Sequence, residues 1–222
     1  MIELIDVEKS YRTRLGLRPV IRPTNLAFYR GASTAVLGLN GAGKSTLLRL
    51  ISGVERPDRG EIRRSVTVSS PLGLTGAFHA TMTGAENLKF VCRIYRKDVD
   101  AVTDFVRDFA ELGAYFHEPI ENYSSGMKSR LAFALSLAVD FQVYVIDEGL
   151  SVGDAAFRNK AQEAFAERRA RSDIIMTSHS TSTIREFCSR AVVMDQGQAV
   201  PFESLDAAED YYMEIVARGR AA

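Results

Sequence analysis

Nine residues constrain this chain more than any other feature: Gly38-Leu39-Asn40-Gly41-Ala42-Gly43-Lys44-Ser45-Thr46. They fit the pattern G-x-x-x-x-G-K-[ST] without a mismatch, follow the apolar run Ser33 to Leu37, and open a helical pattern over Lys44 to Ile51. A strand, a glycine-rich turn and a helix in that order form a cradle for phosphate. The glycines let the backbone curl so that successive N–H groups point inward at a β-phosphate. The helix contributes the positive end of its dipole. Lys44 then reaches the β- and γ-phosphates as a point charge, and the Ser45 hydroxyl is placed to ligate Mg²⁺. The alternative, a glycine-rich turn that only caps a helix, explains neither the lysine nor the flanking context. By itself the loop specifies a nucleotide and nothing narrower, since kinases, GTPases and recombinases share it.

Around the loop, further short apolar runs read as buried strands: Val143 to Ile146, Ile174 to Thr177 and Ala191 to Met194. Helical patterns alternate with them at Lys128 to Val139 and Ala156 to Arg171, which predicts an α/β fold with a mainly parallel sheet flanked by helices. Ile2 to Tyr11 alternates and reads as an edge or antiparallel strand. The stretch 72–122 lacks strand runs and reads as an inserted helical lobe, with 1–71 and 123–222 as the core of a single domain. Asp206 and Glu209, at capping-box spacing, predict the start of a last helix running to Val216.

Composition limits the partners. Lys+Arg and Asp+Glu both number 28 in 222 residues, a balance that argues against a dedicated nucleic-acid binder. The basic residues Arg12, Arg14, Arg18, Arg22 and Arg30 read as a solvated loop rather than a binding patch. The two cysteines, Cys92 and Cys188, lie outside any metal-ligand spacing and suit a reducing compartment. No signal peptide is visible, and no apolar run approaches the ~20 residues of a membrane span.

Val143-Tyr144-Val145-Ile146-Asp147-Glu148 ends a buried strand in two carboxylates. Beside a phosphate loop, Asp147 is placed to hold Mg²⁺, through water, and Glu148 to orient and activate an attacking water. A solvated strand end is the alternative for such a pair in a chain without the loop. His179 follows another apolar strand at the edge where ligands of such sheets bind, within reach of a γ-phosphate or of Glu148. His79 and His117 have no comparable context.

The order of these pieces resembles the ATP-binding-cassette ATPases over nearly the whole chain. Tyr123-Ser124-Ser125-Gly126-Met127-Lys128, ahead of a long apolar helix, resembles the signature loop of that family, and Ser151-Val152-Gly153-Asp154 its D-loop. Tyr11 takes the position of the adenine-stacking aromatic. The resemblance implies a P-loop fold with an N-terminal antiparallel β portion and an inserted helical lobe. It implies hydrolysis of ATP with Mg²⁺ and a head-to-tail dimer of two copies. In that dimer each ATP lies between one loop from Gly38 to Thr46 and the partner's Ser124, Ser125, Gly126 and Met127. It implies as well a separate integral membrane permease and a place on the cytoplasmic face of the bacterial inner membrane.

Two departures from the family pattern stand out. Tyr123, Ser125 and Met127 replace the usual Leu, Gly and Gln, and no glutamine comes soon after Val66-Thr67-Val68 (the first in the chain is Gln142), so that Ser69 or Ser70 lies nearest the glutamine-loop position. With Leu150-Ser151-Val152-Gly153-Asp154-Ala155-Ala156-Phe157 and Met82-Thr83-Gly84-Ala85-Glu86-Asn87, these departures resemble the polysaccharide-export ATPases, and among them the short capsule-export type without an extra carbohydrate-binding domain. An exporter of teichoic acid or lipid is the near alternative. A cassette ATPase of DNA, ribosomes or cell division is the competing class, but tandem cassettes, a coiled-coil insertion and a basic surplus are not seen. A small-molecule kinase would have no use for Ser124 to Met127.

Overall fold

The computed structural model describes residues 1–72, 78–147, 155–178 and 180–220. Contacts divide the chain into two units, one of Met1–Pro71, Gln142–Gly149 and Ser172–Ala222, the other of Leu72–Phe141 and Leu150–Arg171.

The first unit holds two sheets. β1 (Ile2–Thr13), β2 (Gly16–Phe28) and β4 (Arg59–Arg64) form an antiparallel sheet in the order β2-β1-β4. The second sheet runs β5-β6-β3-β7-β8, with β3 (Thr34–Gly38), β5 (Val143–Ile146), β6 (Asp173–Met176) and β7 (Arg190–Asp195) parallel, and β8 (Gln198–Phe202) antiparallel to β7. The expected mainly parallel α/β sheet and antiparallel N-terminal portion are therefore both present. Every residue of β3 and β5 is buried, as continuous apolar strands in a covered parallel sheet must be. α1 (Lys44–Ser52) packs its buried face of Leu47, Leu48, Leu50 and Ile51 into a core shared with Ile2, Leu4, Val7, Phe28, Val145 and Val192.

One reading is narrowed and two change. Of the two readings of β1, edge or antiparallel strand, the second holds: β2 and β4 pair antiparallel on its two sides. The arginines at 12, 14 and 18 belong to the β1–β2 hairpin rather than to a loop, and Arg22 lies on β2; all of them are solvated, as expected. The last helix, α7 (Leu205–Arg220), is not started by an Asp206–Glu209 capping box. Both carboxylates instead accept Arg185 Nη2, at 2.6 and 2.7 Å, from α6 (Thr181–Phe187). The helix begins at Leu205, so Asp206 lies inside its first turn and not at the cap position.

The second unit is helical: α2 (Gly84–Tyr95), α3 (Val99–Ala110), α4 (Ser125–Val139) and α5 (Ala155–Arg169), with short 3₁₀ turns at Gly113–His117 and Ile120–Asn122. It takes in α4 and α5 as well as the segment 72–122. α2 carries a complete capping box, Thr83 Oγ1 accepting from Glu86 N while the Glu86 carboxylate accepts from Thr83 N. Phe109 centres the apolar interior, stacked on Phe105 and Phe133 and edge-on to Phe157. Among the described residues no helix is long and apolar enough to cross a membrane.

Candidate nucleotide site

β3 delivers the glycine-rich loop to the carboxyl edge of the parallel sheet. At Gly38, with φ +146°, a Cβ would lie 2.7 Å from the Met194 carbonyl oxygen on the neighbouring β7. At Gly43, with φ +106°, it would lie 2.9 Å from the Val20 carbonyl oxygen of β2. Only glycine satisfies both the left-handed backbone and the close approach. Gly43 is also the N-cap of α1, with no side-chain cap and no acid in the first turn, so the helix itself sets no carboxylate against its positive end. Lys44 Nζ folds back to donate to the carbonyls of Gly38 at 2.8 Å and Leu39 at 3.1 Å. Val20, Asn40, Gly41, Gly43, Lys44, Ser45 and Thr46 line a cavity of about 290 Å³ on this edge.

Asp147 follows β5 on the same edge, and its Oδ1 accepts from Thr177 Oγ1 at 2.9 Å. Thr177, buried at the end of β6, is itself fixed by its N–H to the Ile146 carbonyl at 2.9 Å. Since β6 lies between β5 and β3, the acid and the loop meet across one strand. Ser178 and Thr177 share with Lys44 and Gly38 a smaller cavity of about 110 Å³. Glu148, His179 and Ser151 to Asp154 lie outside the described residues.

Tyr11, half-buried on β1, places its hydroxyl 3.5 Å from Thr46 Oγ1 and so beside the loop. That hydroxyl donates to Glu55 Oε2 at 2.7 Å. Burial opposes ionisation of Glu55, but the hydrogen bonds from Tyr11 and Lys9, the Lys9 charge and the Arg49 bond outweigh it and hold the carboxyl below its ordinary value.

The signature residues belong to the helical unit. Ser124 is the N-cap of α4 and its Oγ accepts from Met127 N at 3.2 Å, so this helix begins at Ser125 rather than near Lys128. Ser124 and Ser125 are exposed, Gly126 and Met127 half-buried. Tyr123 is buried, and its hydroxyl donates to the Tyr115 carbonyl at 2.6 Å. Any Cβ at residue 84 would collide with that hydroxyl, so Gly84 and Tyr123 are matched parts of one joint. Asn87 closes the same joint, donating to the carbonyls of His79, Met82 and Thr83.

Ser69 does not stand in for the absent glutamine. It is fully buried, its Oγ accepts from Val145 N at 2.9 Å and its N–H donates to the Val143 carbonyl at 2.9 Å. Val68 makes a parallel bridge to Val143, so this stretch extends the sheet beside β5 and spends the serine on it. Sequence reasoning missed Thr177 and the Lys9–Arg49–Glu55 cluster. Thr177 had a signal, a polar residue ending an apolar strand beside the acid; Glu55 had none. Among the described residues no three His, Cys, Asp or Glu side chains gather as a metal cluster.

A sequence model described as "ABC transporter" matches residues 21–151. The chain is 49% identical over 215 residues to the capsule polysaccharide export ATP-binding protein CtrD of Neisseria meningitidis serogroup B, covering 97% of this chain and 100% of that one. It is 45% identical over 215 residues to the polysialic acid transport ATP-binding protein KpsT of Escherichia coli, covering 96% of each. Among solved structures, a dimeric post-hydrolysis ATP-binding cassette bound to ADP and Pi superposes with a TM-score of 0.71 at 19% identity, over 90% of this chain and 96% of that one.

Proposed function

The chain belongs to the ABC transporter family, and we propose that it is the ATP-hydrolysing motor subunit of an exporter of capsular or related cell-surface polysaccharide. The observation that carries this reading is the convergence of Gly38 to Thr46 and Asp147 on one sheet edge, in a chain matching capsule-export relatives over nearly its whole length.

In this reading the adenine stacks on Tyr11, and the loop from Gly38 to Thr46 wraps the phosphates with its N–H groups, the α1 dipole and the Lys44 ammonium. Ser45 and Asp147 are hard oxygen donors of the kind Mg²⁺ takes. With no protein cluster of three ligands beside them among the described residues, they suit an ion that arrives with phosphate oxygens and water. Bound there, Mg²⁺ would neutralise charge on the phosphates. Thr177 holds the Asp147 carboxylate in place for that task. Glu148 orients the attacking water and accepts its proton, and His179 donates a hydrogen bond to the γ-phosphate.

A second copy completes each site head to tail, presenting Ser124 to Met127 to the γ-phosphate. Hydrolysis removes the anion that joins the copies, and the helical unit passes their separation to a membrane permease at the cytoplasmic face of the inner membrane. The domain is read as one cassette, with the helical segment inserted in it.

ATP turnover and sizing in ATP and Mg²⁺ test the engine. Glu148→Gln should lose hydrolysis by on the order of 10²–10³-fold and accumulate as an ATP-bound dimer. Hydrolysis by the variant at the wild-type rate removes Glu148 as the base. Complementation of a capsule-export ATPase deletion tests the cargo: absence of surface polysaccharide with a folded, ATP-hydrolysing chain would refute the export assignment.

A further inference from the structure

Tyr11 is held by more than its own strand. Glu55 Oε2 accepts from the Tyr11 hydroxyl at 2.7 Å and from Arg49 Nε at 3.2 Å, and Arg49 Nη2 reaches the same hydroxyl at 3.3 Å. Lys9 Nζ takes the other carboxylate oxygen at 3.1 Å and stands 5.6 Å from the centroid of the Tyr11 ring. Lys9 also donates to the Arg56 carbonyl and to Asp58 Oδ1, both at 3.0 Å, while Asp58 Oδ2 accepts from Ser10 N at 2.7 Å. The segment that leaves α1 is thus strapped to β1 at Lys9, Ser10 and Tyr11. Arg49 Nη2 further donates to Thr46 Oγ1 at 3.3 Å, one residue beyond Ser45.

A ring that stacks on a base gains from being fixed beforehand, because ordering it on binding costs affinity. Surface ion pairs fix little. Here the side chains of Lys9 and Glu55 are only 13% and 21% exposed, and the bond from the tyrosine hydroxyl is charge-assisted. Lys9, Arg49, Glu55 and Asp58 also balance in charge, so the cluster carries no net charge beside the phosphate loop.

We propose that Glu55 is the positioning residue of the base-binding wall: it orients the Tyr11 ring toward the nucleotide base and, through Arg49, ties that wall to the phosphate-loop helix. This rests on the reading of Tyr11 as the base-stacking residue. The roles separate cleanly, because inorganic tripolyphosphate occupies a phosphate loop and has no base.

The test is kcat and KM for ATP, with the inhibition constant of tripolyphosphate, in Tyr11→Ala, Tyr11→Phe, Glu55→Ala, Glu55→Gln and the double alanine variant. Glu55→Ala should raise the KM for ATP about tenfold, the scale of one lost base stack, with kcat unchanged and tripolyphosphate bound no more weakly. Glu55→Gln, which keeps an acceptor for the hydroxyl, should recover part of the loss. Tyr11→Phe, which keeps the ring but not its anchor, should resemble Glu55→Ala. The double variant should be no worse than Tyr11→Ala, since both remove one wall. Equal weakening of ATP and tripolyphosphate by Glu55→Ala and Glu55→Gln would overturn the proposal, as would full additivity in the double variant. If Tyr11→Ala weakens ATP and Glu55→Ala does not, the positioning role alone fails. If Tyr11→Ala itself leaves the KM unchanged, the stacking assignment fails and the proposal goes with it.

Discussion

α1 and α4 both open at a short turn of small residues, and the two turns are built in opposite ways. The N-cap of α1 is Gly43, left-handed at φ 106°, and no side chain caps the helix. The N-cap of α4 is Ser124, extended at φ −63° and ψ 162°, and its own hydroxyl takes the Met127 N–H. A helix start leaves N–H donors that a side chain, water or ligand must satisfy. α4 supplies one acceptor from its own cap residue, and α1 supplies none. The difference fits the proposed roles, in which α1 holds a nucleotide within its own unit and α4 meets one held by another copy. α2 is the extreme case of self-sufficiency, with Thr83 and Glu86 satisfying each other.

Giving α1 a side chain at its cap should have the largest effect. Gly43→Ala places a Cβ against the Val20 carbonyl in a left-handed backbone, and should cost about 1–3 kcal/mol of stability by chemical denaturation. ATP turnover should fall by on the order of 10²-fold as the loop donors lose alignment. A variant with wild-type turnover would break the comparison, since the bare glycine cap would then have no purpose.

The signature loop offers a sharper pair of substitutions. Ser124→Ala removes the cap and should cost ~1 kcal/mol of stability. Ser124→Asp keeps a good cap and should leave thermal unfolding unchanged, yet it should suppress turnover and the ATP-dependent dimer by setting a carboxylate against the proposed γ-phosphate. Turnover preserved in the aspartate variant would make Ser124 a cap and nothing more.

The smallest expected effect is at α2. The Thr83 N–H and hydroxyl bind the Glu86 carboxylate and hold it below its ordinary value. In that case the folded state binds fewer protons than the unfolded one near the carboxylate range. The contribution is therefore fully present above the ordinary value and fades as pH falls through the folded one. The stability difference between wild type and Glu86→Gln should shrink over that acidic window and stay flat near neutrality. A difference independent of pH would assign the cap to geometry alone.

Much of the nucleotide edge is legible in the order of residues along the chain. Gly38 to Thr46 stands out because the chemistry permits so few residues there, and β3, β5, β6 and β7 because strands covered on both faces read as unbroken apolar runs. β2, β4 and β8 do not read as strands. β2 carries arginines and prolines on its exposed positions and β4 is mostly charged, so their pairing with β1 leaves no periodic trace. Boundaries follow the same logic: Ser124 sets the start of α4 by capping it, whereas Asp206 and Glu209, spaced as a cap, lie inside α7 and pair with Arg185.

The sequence by itself determined that the chain carries a phosphate-loop pattern on a mainly parallel sheet, because local backbone demands and local burial are written in consecutive residues. Only the tertiary structure decided that Ser69 is spent on β5, that Thr177 steadies Asp147, and that Lys9, Arg49 and Glu55 converge on Tyr11. Those contacts join residues far apart in the chain, and a hydrogen bond has no sequence spacing until the fold brings its two ends within about 3 Å of each other.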